Sequence, residues 1–196
     1  VTSPTPLGAL VLAERVRSGN TLVPMRLEEI MEPVIAQTSS LFALPSPLLT
    51  LAQALTLAGG PWRLNFSSQE ECASLLAGLP ACEAAPASFT HVPGAGDAHT
   101  ALSGQDCGPL AEGDRFVRTT WTDAVVTEDA VVLLYGRLPV TLGGAGAVIW
   151  LACQEPTGME VIHRAVVERL GGHPRARLLV EEALISLIVG GVIRLC

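Results

Sequence analysis

Charge is scarce in this chain of 196 residues. Charged residues make up 16% of the sequence, against about 25% in a typical globular domain. Asp and Glu outnumber Lys and Arg by 19 to 12, which gives a formal net charge of −7. Nonspecific affinity for nucleic acid comes mainly from cations that displace counterions from phosphates, so this balance disfavours a surface that tracks a phosphate backbone. The 49% hydrophobic content instead predicts apolar surface that meets a partner.

A metal-binding cysteine pattern and a long apolar run are also missing. None of the five cysteines forms a CxxC pair, which favours a reducing compartment over a disulfide framework or a zinc site. His91, His99 and Cys107 are evenly spaced but lie in an irregular segment, so we interpret them as surface residues and expect no metal. The N-terminus lacks a basic leader, and no apolar run reaches the roughly 18 residues of a membrane helix. We therefore expect a soluble, cytoplasmic protein. The cysteines are Cys72, Cys82, Cys107, Cys153 and Cys196.

The sequence contains no recognisable catalytic motif. It has no nucleophile elbow, no phosphate-binding glycine-rich motif with a lysine, and no HExxH. The run IMEPVI, Ile30 to Ile35, resembles the serine-Met-x-Pro box of signal-peptidase and repressor-type serine peptidases, in which the serine nucleophile directly precedes the Met. Here Ile30 takes the place of that serine. We expect no enzyme and no cofactor, and a degenerate serine-peptidase-like protein is the third of our functional interpretations.

Residues 1–82 are predicted to form a mostly helical N-terminal domain of unknown role. Glycine stops, one alternating strand and a Ser68–Glu71 capping-box spacing divide this half into short elements. Pro33 should split the second helix into two pieces, because proline removes an amide donor and clashes with the preceding turn. The predicted elements are a helix over Leu7–Arg17, a helix with Pro24 in its first turn, a helix over Leu48–Ala58, a strand over Trp62–Phe66 and a helix from Ser68 through Leu76.

Residues 83–113 are predicted to be a linker. The segment is rich in Ala, Gly, Pro and Ser and has no sustained helical or strand period.

The C-terminal part, residues 114–196, begins with β-branched and apolar runs separated by polar turns, which predict a small antiparallel sheet. Its last strand carries Pro139, a residue without an amide donor that is usually confined to sheet edges. The predicted strands are 114–120, 124–127, 130–135 and 138–142.

Three helices and a short strand follow in the sequence. The first, Ala145–Cys153, is apolar almost all round, and the second is expected to start with a Thr157–Glu160 capping box and to end at Gly171. The third, Arg175–Val189, carries more apolar surface than one core-facing stripe needs. A final strand is predicted over Val192–Leu195.

This order of strands, helices and closing strand is typical of a winged helix. Over about residues 114–196 the chain resembles the PqqD-like family, the precursor-peptide recognition domains of ribosomal peptide biosynthesis. The resemblance rests on AVVLLYG, on LPVTLGGAGAVIWLAC, on the turn-capped second helix, and on the apolar last helix with its VIRL tail. The expected fold is therefore α+β, with a mostly helical N-terminal domain before a winged-helix domain of a small antiparallel sheet and three helices.

The resemblance implies that a leader peptide adds as a strand to the edge of the small sheet, in a groove against the last helix. The residue pattern supports the same surface, because an open edge supplies main-chain hydrogen bonds and an over-apolar helix supplies side-chain pockets. A non-catalytic adaptor would then present the precursor peptide to a modifying enzyme. Expected peptide-binding residues are Arg137, Leu138, Val140, Thr141 and Leu142 near the edge strand, and Arg175, Leu178, Glu182, Ile185 and Val189 on the helix.

A winged-helix transcriptional regulator that binds DNA is the second interpretation. A recognition helix needs polar or basic side chains that face base edges. Neither Thr157–Leu170 nor Arg175–Val189 offers a dense set of them, so the sequence favours the peptide-binding adaptor.

Overall fold

The computed structural model describes residues 9–79, 88–97 and 99–196. They form a mixed α+β fold, as the sequence predicts. The chain divides into two compact units. The first contains the residues up to Val92 together with Val125–Glu128, and the second contains Pro93–Ala124 and Asp129–Cys196. Within the described residues no helix is both long enough and apolar enough to cross a membrane.

The first unit combines a three-stranded sheet with helices. The middle strand of this sheet, β3, runs parallel to β1 and antiparallel to β2. The elements are, in chain order, β1 (Leu10–Arg15), β2 (Thr21–Pro24), α1 (Leu27–Gln37), a 3₁₀ helix (Ser39–Ala43), α2 (Pro47–Leu57), β3 (Pro61–Phe66) and α3 (Gln69–Ala77).

Two predictions for the start of this unit were wrong. Of the helix predicted over Leu7–Arg17, the described part from Leu10 to Arg15 is strand β1, which pairs in register with the whole of β3. Pro24 does not open a helix but ends β2, opposite Trp62. Pairing with the distant β3 satisfies the backbone of both segments, and tertiary contacts of this kind override weak local helical spacing.

Helix α1 continues through Pro33, so the prediction of two short pieces was also wrong. Ile30, Met31 and Ile35 are 0%, 0% and 2% exposed, and each of these core side chains contributes roughly 1.5–3 kcal/mol on burial. Together they outweigh a proline in a helix interior, which costs about 3 kcal/mol. The IMEPVI run therefore contributes Ile30, Met31 and Ile35 to the core of the unit, and Ile30, which stands where the peptidases have their serine, is fully buried.

The other predicted elements of this half are confirmed. Helix α2 ends before Gly59 and Gly60, whose φ angles of +75° and +90° suit glycine. Helix α3 has the expected cap, in which the Ser68 hydroxyl accepts from the Glu71 N–H at 3.3 Å and donates to the Glu71 carboxylate at 2.8 Å. Hydrogen bonds from Ser68 and then Ser67 lower the pKa of Glu71.

The second unit carries most of the remaining elements, and the division between the units passes through β4 and β6. Strand β5 lies between β10 and β9 and is antiparallel to both, while β7 and β8 form a hairpin. The elements are, in chain order, β4 (Thr90–Pro93), β5 (Arg115–Arg118), β6 (Asp123–Val126), β7 (Ala130–Tyr135), β8 (Leu138–Gly143), α4 (Gly144–Ala152), β9 (Thr157–Gly158), α5 (Met159–Leu170), α6 (Ala176–Val189) and β10 (Ile193–Leu195).

The individual strands and helices predicted for this part are present, with bounds that differ by a few residues, but the strands belong to two sheets and not to the single small sheet predicted. The capping box at the start of α5 was wrong. Thr157 pairs with Phe116 in β9, and its hydroxyl donates to the carbonyls of Ala152 at 3.1 Å and Glu155 at 2.6 Å. Because strand pairing fixes Thr157 outside the helix, Gly158 takes the cap position without a side-chain bond.

A buried arginine lies in the core of the second unit. The Arg118 guanidinium stacks 3.5 Å from the centroid of the Trp150 ring and lies 5.5 Å from that of Trp121. It also donates to the carbonyls of Trp150 at 2.5 Å and Leu151 at 3.1 Å. Burial lowers the pKa of Arg118 to about 10. Arg118 therefore joins β5 to α4, because both of these carbonyls belong to α4.

Candidate functional site

Strand β8 is an edge strand. Its neighbour in the sheet is β7, and it stands last in the strand order of the described residues. The two strands are joined by Gly136 and Arg137, and Gly136 has a φ of +59° while Arg137 has no positive φ. A glycine with positive φ in the first position of a two-residue loop is typical of a type II′ hairpin turn.

The hairpin register shows which backbone groups of β8 face outward. Tyr135 and Leu138 flank the two-residue turn and form its hydrogen-bonded pair, so the pairing alternates from there along the ladder. Pro139, opposite Leu134, and Thr141, opposite Val132, fall in the non-hydrogen-bonded pairs. Their backbone groups point away from β7. Thr141 thus offers an N–H and a C=O at the open edge, and Pro139 offers a C=O.

Side chains of β8 divide between the two faces of the sheet. Leu138, Val140 and Leu142 share one face, on which Leu142 is buried at 8% exposure and Leu138 is 53% exposed. Thr141 lies on the other face and is exposed. Strand β8 therefore has a buried side chain at Leu142, near its end, and accessible side chains at its start.

Helix α6 has a buried side and an exposed side. The expected binding residues Leu178, Glu182, Ile185 and Val189 are spaced by four, three and four positions, which places them on one helix face. Glu182 is exposed, Ile185 is half-buried, and Leu178 and Val189 are 43% and 55% exposed. The buried residues lie on the opposite side, where α6 packs against α4, α5 and β10. They are Val180, Leu184, Leu187 and Ile188.

A short segment connects the start of β8 with the end of α6. Residues 100–105, here named the strap, come close to both. Leu102 lines the same depression as Leu138, and Gly104 lies against the carbonyl of Val189, so close that an added Cβ would be 2.0 Å from that oxygen. From Leu102 to Gly104 the chain spans at most about 7 Å. The Leu138 end of β8 and the Val189 end of α6 are therefore near each other.

Hydrogen bonds of the Thr119 side chain also show that the turn end of β7 and the end of α6 lie near each other. The Thr119 hydroxyl lies 3.4 Å from the Tyr135 hydroxyl and donates to the carbonyl of Gly191 at 2.7 Å. Tyr135 is the last residue of β7, directly before the hairpin turn, and Gly191 follows α6. Burial raises the pKa of Tyr135, which keeps the phenol neutral over the ordinary pH range.

The depression beside Leu138, here named the end pocket, has a volume of about 500 Å³. Its lining is mostly apolar, with a guanidinium side chain at Arg137 and hydroxyl-bearing side chains at Thr100 and Tyr135. The lining residues are Thr100, Ala101, Leu102, Tyr135, Arg137 and Leu138.

The arginines expected to meet acidic peptide residues have different surroundings. Arg137 is exposed and lines the end pocket. Arg175 is exposed at the start of α6. Arg177 forms ion pairs with Glu160 at 2.9 Å and with Glu181 at 3.4 Å. These exposed pairs stabilise the fold little, but they already engage the Arg177 guanidinium.

The structure thus brings Arg137 and Leu138 into one pocket and places Val189 near it through the strap. Sequence reasoning missed Thr100, Ala101, Leu102 and Tyr135. The first three lie in the segment that composition marks as a linker, and no periodicity distinguishes them. Only the glycine at position 104 hinted at a close backbone approach.

Histidine, cysteine and carboxylate side chains of the described residues form no group of three or more that could hold a metal ion. Comparison of the chain with protein-family models, with curated proteins and with solved structures finds no match.

Proposed function

We propose that the second unit binds an extended peptide as an added strand on β8, with the exposed face of α6 supplying side-chain contacts. The observation that carries this proposal is the open edge at Thr141, whose outward N–H and C=O are not used by β7. Strand addition of this kind draws affinity from main-chain hydrogen bonds and specificity from pockets for alternate side chains.

The peptide is proposed to be the leader of a ribosomally made precursor, as the resemblance to the PqqD-like family suggests. The protein is then a non-catalytic adaptor that presents the precursor to a separate modifying enzyme. Holding the leader raises the effective concentration of the rest of the peptide at that enzyme, so that the encounter becomes nearly intramolecular.

The exposed apolar face of α6 supports the same role. Leu178 and Val189 leave about half of their surface in water, and covering such side chains contributes roughly 25 cal/mol per Å² of apolar area. Glu182, between them on the same face, provides a polar contact that sets the register of a bound peptide.

Replacement of Thr141 by proline tests the open edge. The substitution removes the outward N–H but no hydrogen bond to β7, so we expect the hairpin to survive and peptide affinity to fall roughly fivefold, the worth of one main-chain hydrogen bond. The probe is a peptide enriched from a phage-displayed random library on the wild-type chain, labelled with fluorescein and titrated by fluorescence polarisation.

The matched variant Thr141→Val keeps the N–H and should bind more tightly than Thr141→Pro. Circular dichroism of both variants shows whether the fold is retained. Equal affinity of the two folded variants, or a library that yields no enriched peptide, would rule out strand addition at β8.

A further inference from the structure

We propose that β8 also pairs with the β8 of a second copy of this chain, antiparallel and with Thr141 on the two-fold axis. The same edge then has two alternative occupants, an extended peptide or a second copy, so that peptide binding competes with self-association. This inference goes beyond the proposed function and does not depend on it, because it follows from the hydrogen-bonding groups of β8 themselves.

Three residues of β8 direct their backbone groups away from β7. The register places Pro139, Thr141 and Gly143 in non-hydrogen-bonded pairs with β7. A hydrogen bond on the far side of β7 agrees with this register. The carbonyl of Leu134, which is opposite Pro139, accepts from the N–H of Thr122 at 2.7 Å and so faces away from β8. Thr141 and Gly143 are exposed, and a Cβ added at Gly143 would meet no atom from elsewhere in the described chain within 4 Å, so the edge is accessible.

The outward groups differ from residue to residue, and the differences are self-complementary. Thr141 offers both an N–H and a C=O. Pro139 offers only a C=O, because proline has no amide hydrogen. Gly143 offers only an N–H, because it is the N-cap of α4 and the carbonyl of an N-cap accepts the first hydrogen bond of its helix. With Thr141 opposite the Thr141 of the second copy, each Pro139 carbonyl faces a Gly143 N–H, and the outward groups of these three residues all have partners.

Other registers leave groups unpaired. If the axis is moved by one residue to Val140, Thr141 lies opposite Pro139 of the second copy, and the Thr141 carbonyl finds no donor. If the axis is moved to Leu142, Thr141 lies opposite Gly143, whose carbonyl is already used by α4. An unpaired backbone group that is shielded from water costs free energy. The proline and the helix cap together therefore select the register with Thr141 on the axis.

The side chains of β8 also permit this pairing. Exposed edge strands are usually protected from pairing by charged side chains, and none of the six residues of β8 is charged. Two threonines directly opposite each other form a favourable cross-strand pair. On the other face of the sheet, Val140 comes to lie opposite Leu142 of the second copy, which joins their apolar surfaces. The net charge of −7 on each copy opposes association and is screened by salt, so high salt should favour the dimer.

Sedimentation equilibrium over a series of protein concentrations measures the association. We expect the average mass of the wild-type chain to rise from 20.5 kDa toward twice that value, and to rise at lower protein concentration when salt is added. Thr141→Pro removes one axial hydrogen bond from each copy. The dimer dissociation constant should therefore rise about 25-fold, the square of the fivefold loss expected for a peptide, which loses one bond.

A charge pair on the axis tests the register. Thr141→Lys and Thr141→Glu each place like charges opposite each other, so each variant alone should raise the dimer dissociation constant about fivefold. An equimolar mixture of the two should restore association, because opposite charges then face each other across the axis. Thr141→Val adds no charge and keeps the N–H, so it should associate as the wild type does. Circular dichroism checks that the variants are folded.

The outcomes separate this inference from the proposed function. A mass that stays at 20.5 kDa at every concentration would overturn self-association and leave peptide addition to its own test. Charged variants that dimerise as readily as the wild type would also overturn it, because the copies would then meet through another surface. So would a dimer that keeps its mass with an enriched peptide bound. A dimer with the expected variant behaviour, together with a library that enriches nothing, would support the second copy and overturn the proposed function.

Discussion

At the residue scale, Cys153 has the most perturbed thiol among the described cysteines. Its side chain is fully buried at the end of α4, and this burial raises its pKa from 9.0 to about 12. The nearby Arg118 guanidinium opposes that shift but does not overcome it. The thiol therefore contributes to packing. It is unreactive in the folded protein, because the reactive form of a cysteine is the thiolate.

The raised pKa predicts a pH-dependent loss of stability. In the unfolded chain the thiol ionises above pH 9, whereas in the folded chain it stays neutral to about pH 12. Its stabilising contribution is thus complete below pH 9 and is lost as the pH rises from 9 toward 12. The free energy of unfolding should fall by up to about 1.4 kcal/mol between pH 8 and pH 10 on this account.

Urea unfolding followed by tryptophan fluorescence checks this prediction. Cys153→Ala should lose that part of the pH dependence, and Cys72→Ala, at a half-buried thiol of the first unit, should keep it. An identical pH dependence in wild type and Cys153→Ala would show that burial of Cys153 is not its source.

At the element scale, α6 has one side buried in the core and another side exposed to solvent. Leu184 and Ile188 are fully buried in the core, whereas Leu178 and Leu179 are 43% and 44% exposed. Leu178 shares the face of Glu182, Ile185 and Val189, and Leu179 is turned by about 100° from it. Two neighbouring leucines of equal exposure therefore differ mainly in the direction that they face.

This pair provides a matched test of the helix face. Leu178→Glu should lower peptide affinity about tenfold, because it replaces apolar contact area by a charge. Leu179→Glu should leave the affinity within about twofold of the wild type, because its side chain lies off the shared face. Both variants should keep their stability within roughly 0.5 kcal/mol, since exposed positions near a helix N-terminus tolerate acidic residues. Fluorescence polarisation and urea unfolding measure the two quantities, and equal affinities of the two variants would contradict the face assignment.

At the scale of the whole molecule, the charge balance bears on the choice of partner. With a net charge of −7, the chain repels a polyanion at long range. On α5 and α6 the basic side chain of Arg177 is paired with Glu160 and Glu181. An extended peptide can still bind through main-chain hydrogen bonds at the edge of β8, whereas a duplex needs a continuous basic surface.

We therefore expect no complex with duplex DNA of random sequence at physiological salt, even at micromolar protein. Fluorescence polarisation of a labelled duplex measures this, with the enriched peptide as the positive control on the same protein sample. Duplex binding that depends on base sequence and survives physiological salt would favour the transcriptional regulator and count against the adaptor.

The sequence by itself determined the elements whose signals are local. Helix α2 and its glycine stop, strand β3, the Ser68–Glu71 cap, the β7–β8 hairpin and the over-apolar α6 all follow from periodicity, turn residues and caps within a few positions. The edge position of β8 was also predictable, because Pro139 has no amide to donate to a second neighbour.

Only the tertiary structure decided the features that depend on distant partners. Pairing with β3 turns Leu10–Arg15 into a strand, core burial carries α1 through Pro33, and pairing with Phe116 takes Thr157 out of its cap. The end pocket is of the same kind. The sequence of the strap has no helical or strand period. Its position is set by the contact of Gly104 with the Val189 carbonyl. These two residues are far apart in the chain, so a reading of neighbouring residues alone does not reveal their contact.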